Sequence, residues 1–212
     1  MESSAVHTQN FLSVLILAGG NSRRMGTDKA LVPVDGEAML AQVCRVARGC
    51  SDRVFVLTPW GDRYQAVLPP DCQVLSEARS PGEEAPGPLV GFAAGLRQLS
   101  REWVLLLACD LPRLEGAQMG AWAAQLPQVP AEAIAWLPRL GDRWDPLCGF
   151  YRRRCLASLE AFIEGGGRSF QRWLDREVVE VLPVDDPQWL FNCNTPDDLR
   201  ILAGGDRPPP PA

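Results

Sequence analysis

The sequence is poor in residues on which many enzymes depend, and histidine is the scarcest of them. The 212 residues include one histidine, His7. A histidine-ligated metal and a Ser-His-Asp triad both need histidine beside the reacting atoms, which one histidine in an N-terminal arm does not supply. The sequence therefore argues against both kinds of site.

Paired cysteines, long apolar runs and an export signal are also missing. The seven cysteines form no C-x-x-C pair and their number is odd, which argues against a disulfide framework and against a structural zinc site. No apolar run approaches the roughly 20 residues of a membrane span. The first ten residues lack the basic region and cleavage site of a signal peptide. We therefore expect a cytoplasmic protein that does not bind membranes.

The length favours one α/β domain, and the net charge does not disfavour a small anionic ligand. A chain of 212 residues can bury a core without metal or disulfide support. The net charge of −5 disfavours nonspecific nucleic-acid binding but is compatible with a local cluster of cations. The basic run 152–154 is interpreted as a solvated helix start rather than a nucleic-acid patch.

The most informative stretch is 14–31, VLILAGGNSRRMGTDKAL. Its apolar start, 14–17, predicts a strand buried on both faces, as in a parallel sheet. The strand stops at a glycine pair, Gly19 and Gly20, where backbone N–H groups can approach a ligand closely. Three cations, Arg23, Arg24 and Lys29, follow within seven positions. This order predicts an anion site at the carboxyl edge of a sheet.

Lys29 is the only lysine, whereas the other twenty basic residues are arginines. A compact ammonium in a glycine-rich loop suits a phosphate group, although a lysine on a solvated loop is the alternative. The loop is not a Walker loop, because Thr27 and Asp28 separate Gly26 from the lysine. Nor is it a dinucleotide fingerprint, because Gly19 and Gly20 are adjacent.

A second candidate group follows the most apolar strand, 103–108 (WVLLLA). Asp110 comes just after that strand, and an acid in this position lies at the edge where α/β sheets bind ligands. Mg²⁺ prefers a carboxylate together with phosphate oxygens. We therefore predict that Asp110 is an Mg²⁺ ligand, with a helix cap ahead of Pro112 as the alternative.

Three other segments have both a functional and a structural interpretation. The glycines at 87 and 91 open a predicted helix, where they either let the backbone approach a flat base or allow tight helix–sheet packing. Asn192 and Asn194 share one face of an extended segment, where they either orient a phosphate or form a cap before Pro196. The polar segment 77–86 is either a lid over the site or a surface loop.

The pattern L-A-G-G-x-S-x-R-M-G-x-D-K-A-L resembles the signature of nucleotidyltransferases that activate sugars, polyprenol precursors and pterin cofactors. The segments GPLVG (87–91), CDLP (109–112) and NCNTPD (192–197) extend the resemblance over about 13–202, and it is strongest to the molybdenum cofactor guanylyltransferase family. That family joins GMP from GTP to molybdopterin with Mg²⁺ and releases pyrophosphate. The resemblance implies the same substrates here, with cofactor-delivery proteins or molybdoenzyme apoproteins as further candidate partners.

The resemblance also implies roles for the residues that match the family. The catalytic residues would be Arg24, Lys29 and Asp110, with Asp110 as the metal ligand. The nucleotide-binding residues would be Leu17, Ala18, Gly19, Gly20, Lys29, Glu77, Gly87, Gly91 and Asp110. The molybdopterin-binding residues would be Arg168, Asn192 and Asn194, although a solvated helix start is the alternative for Arg168. The chain departs from the family at three positions, having Leu57 for a common Asn, Glu77 for an Asp, and Asp145 for a Gln or His.

We expect a three-layer α/β/α Rossmann-like nucleotidyltransferase fold with a mainly parallel, mixed sheet. One antiparallel strand or hairpin should lie in its second half, and the first strand should lie near the switch point. We expect a mobile arm at 1–12, one domain at 13–203 and a disordered Pro-rich tail at 204–212. The alternatives are a cytidylyltransferase on the same pterin, another phosphate-accepting nucleotidyltransferase, and a non-catalytic nucleotide- or cofactor-binding adaptor.

Overall fold

The computed structural model describes residues 11–20, 25–77 and 85–204. The strands are β1 Leu12–Leu17, β2 Pro33–Val34, β3 Glu37–Ala38, β4 Val54–Thr58, β5 Cys72–Ser76, β6 Trp103–Ala108, β7 Ala135–Leu137, β8 Arg139–Leu140, β9 Arg143–Trp144, β10 Cys148–Arg152 and β11 Val179–Val181. The α-helices are α1 Met39–Arg48, α2 Gly61–Tyr64, α3 Pro88–Arg97, α4 Gly116–Ala123, α5 Leu156–Glu164, α6 Phe170–Leu174 and α7 Pro196–Gly204. Short 3₁₀ turns span Lys29–Leu31, Leu126–Gln128, Arg153–Cys155 and Pro187–Leu190.

Seven strands form the central sheet in the order β11-β7-β10-β6-β1-β4-β5. β10 runs antiparallel to both of its neighbours, and the other adjacent pairs are parallel. The prediction of a mainly parallel sheet with one antiparallel strand in its second half is therefore confirmed. The chain goes from β1 to β4 and β5 on one side and then to β6 on the other. The strand order thus reverses beside β1, and such switch points leave a crevice at the carboxyl ends of the strands.

Alternate side chains of the buried strands supply two separate cores, one on each face of the sheet. Val14 and Ile16 of β1 belong to the core under α1 and α4, whereas Leu15 belongs to the core under α3, α5 and α6. Every residue of β6 is buried. The apolar sequences of β1 and β6 are therefore explained by helices on both faces, which gives three layers.

Local turn chemistry accounts for two of the connections. The β2–β3 hairpin turns through Asp35 and Gly36, whose φ angles of 51° and 82° are those of a type I′ turn, for which Asp-Gly is a preferred pair. Gly87, with a φ of 89°, precedes α3, where a side chain would be strained. β8 and β9 pair with each other as a short antiparallel hairpin at 139–144.

The structure adds to the predicted boundaries in two places. β1 begins at Leu12, one residue before the predicted start of the domain, and the short helix α2 was not predicted. Residues 1–10 of the predicted arm, 205–212 of the predicted tail and most of the loop 77–86 lie outside the described residues. Within the described ranges, no helix combines the length and apolar character that crossing a bilayer requires.

Replacing Gly95 with alanine should destabilise the fold, because α3 packs against β1 at this glycine. A Cβ there would lie 2.5 Å from Cδ2 of the buried Leu15. We expect Gly95→Ala to lower the free energy of unfolding by about 1–3 kcal/mol, the usual cost of overpacking a core. Urea unfolding followed by circular dichroism measures it.

Gly120→Ala in α4 is the matched control, since a Cβ at Gly120 meets nothing within 4 Å. This change should be neutral or should stabilise the protein by up to about 1 kcal/mol, through helix propensity. Equal effects of the two substitutions would contradict the close approach of α3 to β1.

Candidate active site

A cleft of about 440 Å³ lies at the carboxyl ends of β1, β4 and β6, beside the switch point. It is lined by Leu17, Gly19, Gly20, Lys29, Leu57, Glu77, Ala85, Pro86, Gly87, Pro88, Gly91, Ala108, Cys109, Asp110, Leu147, Asn192 and Asn194. Residues from distant parts of the chain meet here because parallel strands end at one edge of the sheet.

Lys29 enters the cleft from a single 3₁₀ turn that Asp28 holds in place. Asp28 caps this turn by accepting a hydrogen bond from the N–H of Ala30 at 3.2 Å. The Asp28 carboxylate also accepts hydrogen bonds from the Tyr64 hydroxyl at 2.9 Å and from Arg63 Nη1 at 3.0 Å. Burial, reinforced by the Asp28 charge, raises the pKa of Tyr64 well above its ordinary value, so that the phenol stays a neutral donor. Asp28 therefore fixes the position from which the Lys29 side chain extends.

Lys29 and Asp110 form an ion pair across the floor of the cleft. The distance from Lys29 Nζ to Asp110 Oδ2 is 2.5 Å, and the same ammonium donates to Asn194 Oδ1 at 3.3 Å. The Asp110 side chain is 4% exposed and that of Lys29 is 20% exposed. The cation that follows β1 and the acid that follows β6 therefore meet, as the sequence order predicted.

The other oxygen of Asp110 is a candidate ligand for a cation. Within the described part of the chain, Oδ1 is buried and has no hydrogen-bond partner, although buried carboxylate oxygens are ordinarily paired. No group of three or more His, Cys, Asp or Glu side chains that could hold a metal occurs among the described residues. Mg²⁺ commonly uses one or two carboxylates and completes its shell with water and substrate phosphates. Asp110 fits that kind of site.

The segment with the two asparagines is anchored to the same place. The N–H of Cys193 donates to the backbone carbonyl of Asp110 at 2.9 Å. Thr195 and Asp198 form a capping box at the start of α7: Thr195 Oγ1 accepts from the N–H of Asp198 at 3.2 Å, and Asp198 Oδ2 accepts from the N–H of Thr195 at 2.8 Å. Thr195 thus serves as the cap, which leaves the Asn194 side chain to contact Lys29.

One wall of the cleft is apolar and ends in a carboxylate. Leu17 and Leu57, at the ends of β1 and β4, face α3 at Gly91. A Cβ at Gly91 would lie 3.5 Å from Glu77 Oε1 and 3.7 Å from Leu57 Cδ2. The absence of a side chain at this glycine therefore widens the slot between the leucines and the helix. This wall therefore combines an apolar surface with the carboxylate of Glu77, which can accept hydrogen bonds.

The structure does not bring all of the predicted residues together. Arg168 is exposed and absent from the cleft lining, and its guanidinium donates to the carbonyls of Ile163 and Gly167 at 2.9 and 2.6 Å. Ala18 is buried and its N–H donates to Leu57. Arg23 and Arg24 lie outside the described residues, so the role predicted for Arg24 stays a prediction. The other predicted site residues line the cleft.

Some residues of the site had no role in the sequence argument. Asp28 served only to exclude a Walker loop, although an aspartate before a short helical turn is a recognisable cap. Leu147 lines the cleft and accepts a hydrogen bond from the N–H of Ala108 at 2.9 Å. Leu147 directly precedes the antiparallel β10, and only knowledge of the strand pairing could have identified it.

Asp145 is a carboxyl group close to the site but outside the cleft lining. Its Oδ1 accepts a hydrogen bond from the N–H of Leu147 at 3.4 Å. Burial raises the pKa of Asp145 to about 6, and the Asp110 carboxylate adds to the rise. The hydrogen bond from Leu147 opposes the shift.

Known proteins resemble the chain in both sequence and fold. A MobA-like NTP transferase domain matches residues 14–180. A protein of Nostoc sp. named "Probable molybdenum cofactor guanylyltransferase" is 52% identical over 195 residues, which cover 92% of each chain. The "Molybdenum cofactor guanylyltransferase" of Pseudomonas putida is 38% identical over 89% of this chain and 95% of its own.

Solved structures of low sequence identity share the fold. The molybdopterin-guanine dinucleotide biosynthesis protein A of Archaeoglobus fulgidus has a TM-score of 0.72 at 22% identity, covering 90% of this chain and 96% of its own. A 4-diphosphocytidyl-2C-methyl-D-erythritol synthase of Anaerococcus prevotii has a TM-score of 0.68 at 14% identity, covering 95% and 98%. The three-layer nucleotidyltransferase fold predicted from the sequence is therefore confirmed.

The contact between Lys29 and Asp110 should appear as a coupling energy in a double-mutant cycle. Lys29→Met leaves a buried carboxylate without its partner, which should cost about 1–3 kcal/mol of unfolding free energy. Asp110→Asn in the same chain removes that charge, so the double variant should recover much of the loss. Urea unfolding of the four proteins should give a coupling of about 1–3 kcal/mol. If the losses of unfolding free energy in the two single variants simply add in the double variant, that result would contradict a direct contact between Lys29 and Asp110.

Asp145→Asn should stabilise the protein at neutral and higher pH but not in acid. Because the pKa of this carboxyl is raised to about 6 in the folded state, its ionisation costs stability as the pH rises from about 4 through 6. The amide can still accept the Leu147 hydrogen bond without a charge. We expect a gain of about 1–2 kcal/mol at pH 8 and none near pH 4.

Urea unfolding at a series of pH values measures this gain. Asp142→Asn on the exposed β8–β9 hairpin is the control and should show no comparable pH dependence. A gain for Asp145→Asn that is the same at every pH would show that ionisation is not its cause.

Proposed function

The chain belongs to the MobA-like NTP transferase family, and from that premise we propose that it transfers GMP from GTP to the terminal phosphate of molybdopterin. The products are the guanine dinucleotide form of the cofactor and pyrophosphate. The observation that carries the proposal is the convergence of Lys29 and Asp110 in a cleft beside the switch point. Relatives of 38% and 52% identity are named for this activity.

In the proposed reaction, a phosphate oxygen of molybdopterin attacks the α-phosphorus of GTP. A new phosphorus–oxygen bond forms, and the bond to the oxygen that bridges the α- and β-phosphates breaks, so that pyrophosphate leaves. A phosphate monoester is already anionic at neutral pH, and the attack therefore needs no general base. Catalysis then consists of positioning and charge neutralisation, which does not require a histidine.

Lys29 and Arg24 are the residues proposed to neutralise the triphosphate. The Lys29 ammonium already reaches the end of β6, and Gly19 and Gly20 lie beside it in the cleft lining. A lysine acts as a point charge toward phosphate, and backbone N–H groups of a glycine turn can add hydrogen bonds. Arg24 is assigned on the resemblance of its loop to the family signature.

We propose Mg²⁺ as the cofactor, with Asp110 as its protein ligand. The support is the buried Oδ1, which has no hydrogen-bond partner among the described residues, together with the preference of Mg²⁺ for carboxylate and phosphate oxygens. When bound, Mg²⁺ would screen the negative charge of the phosphates. Asp110 and the Asn194 amide would hold their positions through the contacts that both make with Lys29.

The apolar wall and Glu77 favour guanine as the base. Leu17, Leu57 and Gly91 enclose a slot that suits a flat ring. A carboxylate can accept two hydrogen bonds from the N1–H and the 2-amino group of guanine, whereas cytosine has no such pair of adjacent donors. Glu77 is proposed for that role, with Leu17, Ala18 and Gly87 completing the nucleoside site.

The acceptor side is assigned to the asparagine segment. Asn192 and Asn194 line the cleft next to Asp110 and are fixed by the backbone contact of Cys193 and by the capping box of α7. Their amides can donate hydrogen bonds to phosphate or pterin oxygens. Arg168 remains proposed for a molybdopterin contact, for which its exposed guanidinium would have to exchange its present carbonyl partners.

We also propose a reducing cytoplasmic location and transfer of the product to cofactor-delivery proteins or molybdoenzyme apoproteins. The seven cysteines are all free thiols, as is usual for proteins kept in a reducing compartment. The transfer step rests on the chemistry of the product, a cofactor that acts only when bound to another protein.

The function is tested by incubating the protein with molybdopterin, Mg²⁺ and each of the four nucleotides in turn. GTP should release the most pyrophosphate, and the product should have the mass of molybdopterin plus one GMP unit. Chelation of Mg²⁺ should abolish the release. A preference for CTP would identify a cytidylyltransferase, and tight GTP binding without pyrophosphate release would identify an adaptor.

Lys29→Ala should lower the rate of this reaction by at least about tenfold, which corresponds to roughly 1.4 kcal/mol of transition-state stabilisation. Asp142→Asn is the control, since Asp142 is exposed on the β8–β9 hairpin, and it should leave the rate unchanged. A rate for a folded Lys29→Ala protein within about threefold of wild type would remove Lys29 from the phosphate site.

A further inference from the structure

The side chain of Gln171, in α6, is bonded to the connection between β7 and β10, residues 138–147, which we call the rim connection. The N–H of Trp144, in β9, donates to Gln171 Oε1 at 3.0 Å, and Gln171 Nε2 donates to the Trp144 carbonyl at 2.7 Å. The acceptor and the donor of one amide thus pair with both backbone groups of one residue, as a neighbouring strand would.

The strand pairing explains why these two groups of Trp144 are open to a side chain. β8 and β9 form a two-stranded sheet of their own, in which Trp144 lies opposite Arg139. The next pair of residues is hydrogen-bonded, since the N–H of Asp145 donates to the carbonyl of Pro138 at 2.9 Å. Hydrogen-bonded and non-hydrogen-bonded pairs alternate in antiparallel strands, so the N–H and C=O of Trp144 point away from Arg139. The Gln171 amide therefore occupies the outer edge of β9.

The helix that carries this amide is fixed to the core of the protein. Phe170 and Trp173 of α6 are buried, and Trp173 stacks on Tyr151 of β10 with the ring centroids 6.1 Å apart. The Tyr151 hydroxyl donates to the carbonyl of Pro146 at 2.8 Å. The rim connection is therefore bonded at two points, Trp144 and Pro146, to side chains that belong to or pack against α6.

The position of the rim connection relates it to the second substrate. It ends at Leu147, which lines the cleft, and it lies on the side of β6 away from β1. The slot proposed for the base, between Leu17, Leu57 and Gly91, lies on the other side, at the ends of β1 and β4. A nucleotide with its base in that slot and its phosphates at Asp110 leaves the part of the cleft beyond β6 for the attacking group.

We propose that Gln171 is a positioning residue for the acceptor, an inference that rests on the proposed function. Its amide fixes the rim connection, so that this wall of the cleft is already formed when molybdopterin binds. A wall that is formed in advance lowers the cost of ordering the site on binding. Loss of the amide therefore weakens binding of the acceptor, whereas GTP keeps its own site.

Limited digestion of the native protein with trypsin tests the support of the rim connection. Two exposed cleavage sites lie in it, after Arg139 and after Arg143. Proteases cut segments that open locally. Gln171→Met removes both hydrogen bonds from a side chain of similar length, and it should raise the initial rate of cleavage at these two sites by at least about fivefold. Mass spectrometry of the new N-termini, Leu140 and Trp144, measures that rate.

Gln125→Met is the matched control, because the Gln125 amide donates to the carbonyl of Ala121 in its own helical segment. It should leave cleavage of the rim connection unchanged. Cleavage after Arg97, in α3, reports unfolding of the core. Equal cleavage of the rim connection in Gln171→Met and wild type would overturn the proposal. A rise after Arg97 as large as the rise in the rim connection would also overturn it, because the substitution would then weaken the whole fold.

Steady-state kinetics of GMP transfer test the acceptor role. Gln171→Met should raise the KM for molybdopterin by at least about threefold and should leave kcat and the KM for GTP within about twofold of wild type. Gln125→Met should change none of these values. An unchanged KM for molybdopterin, or a rise in the KM for GTP alone, would contradict the acceptor role. The digestion gives its result even if the wild-type protein transfers no GMP, so failure of the proposed function and failure of the support by Gln171 are distinguishable.

Discussion

The ion pair between Lys29 and Asp110 is the contact on which the cleft depends, since it joins the loop after β1 to the end of β6. Both charges are largely removed from water, and such a pair is maintained only when the partners approach closely and find further hydrogen bonds. Asn194 accepts a further hydrogen bond from the Lys29 ammonium, and the N–H of Cys193 donates to the backbone carbonyl of Asp110. The segment before α7 is therefore held at the same point. Three distant parts of the chain are therefore held together by one lysine. In the proposed reaction, the triphosphate would compete with Asp110 for this ammonium.

Much of the fold follows from the sequence because its signals are local and strong. The apolar runs of β1 and β6 indicate strands covered on both faces, and parallel strands present their carboxyl ends along one edge. The residues that follow these strands, Lys29 and Asp110, could therefore be expected to meet before any coordinates were known. Gly87, which precedes α3, is also a local signal, because its backbone conformation is one that other residues rarely adopt.

The remaining features depend on contacts between residues far apart in the sequence. Nothing near Asp28 indicates that Tyr64, 36 positions later, will donate to it. The family resemblance that implies a role for Arg168 does not fix the direction of its long side chain, and in the structure the guanidinium donates to the carbonyls of Ile163 and Gly167. Sequence patterns thus determined which elements form, whereas side-chain partners needed the packed structure.

The reversed direction of β10 has a consequence for how this architecture diversifies. β7 ends at the sheet edge that bears the cleft, and β10 begins at the same edge. The connection from 138 to 147 therefore runs along the rim of the cleft, on the side of β6 away from β1. Insertions or deletions in that connection reshape one end of the cleft while the strand that leads to Lys29 and the strand that leads to Asp110 keep their register. This rim of the cleft can therefore change in length and sequence while the contact between Lys29 and Asp110 stays in place.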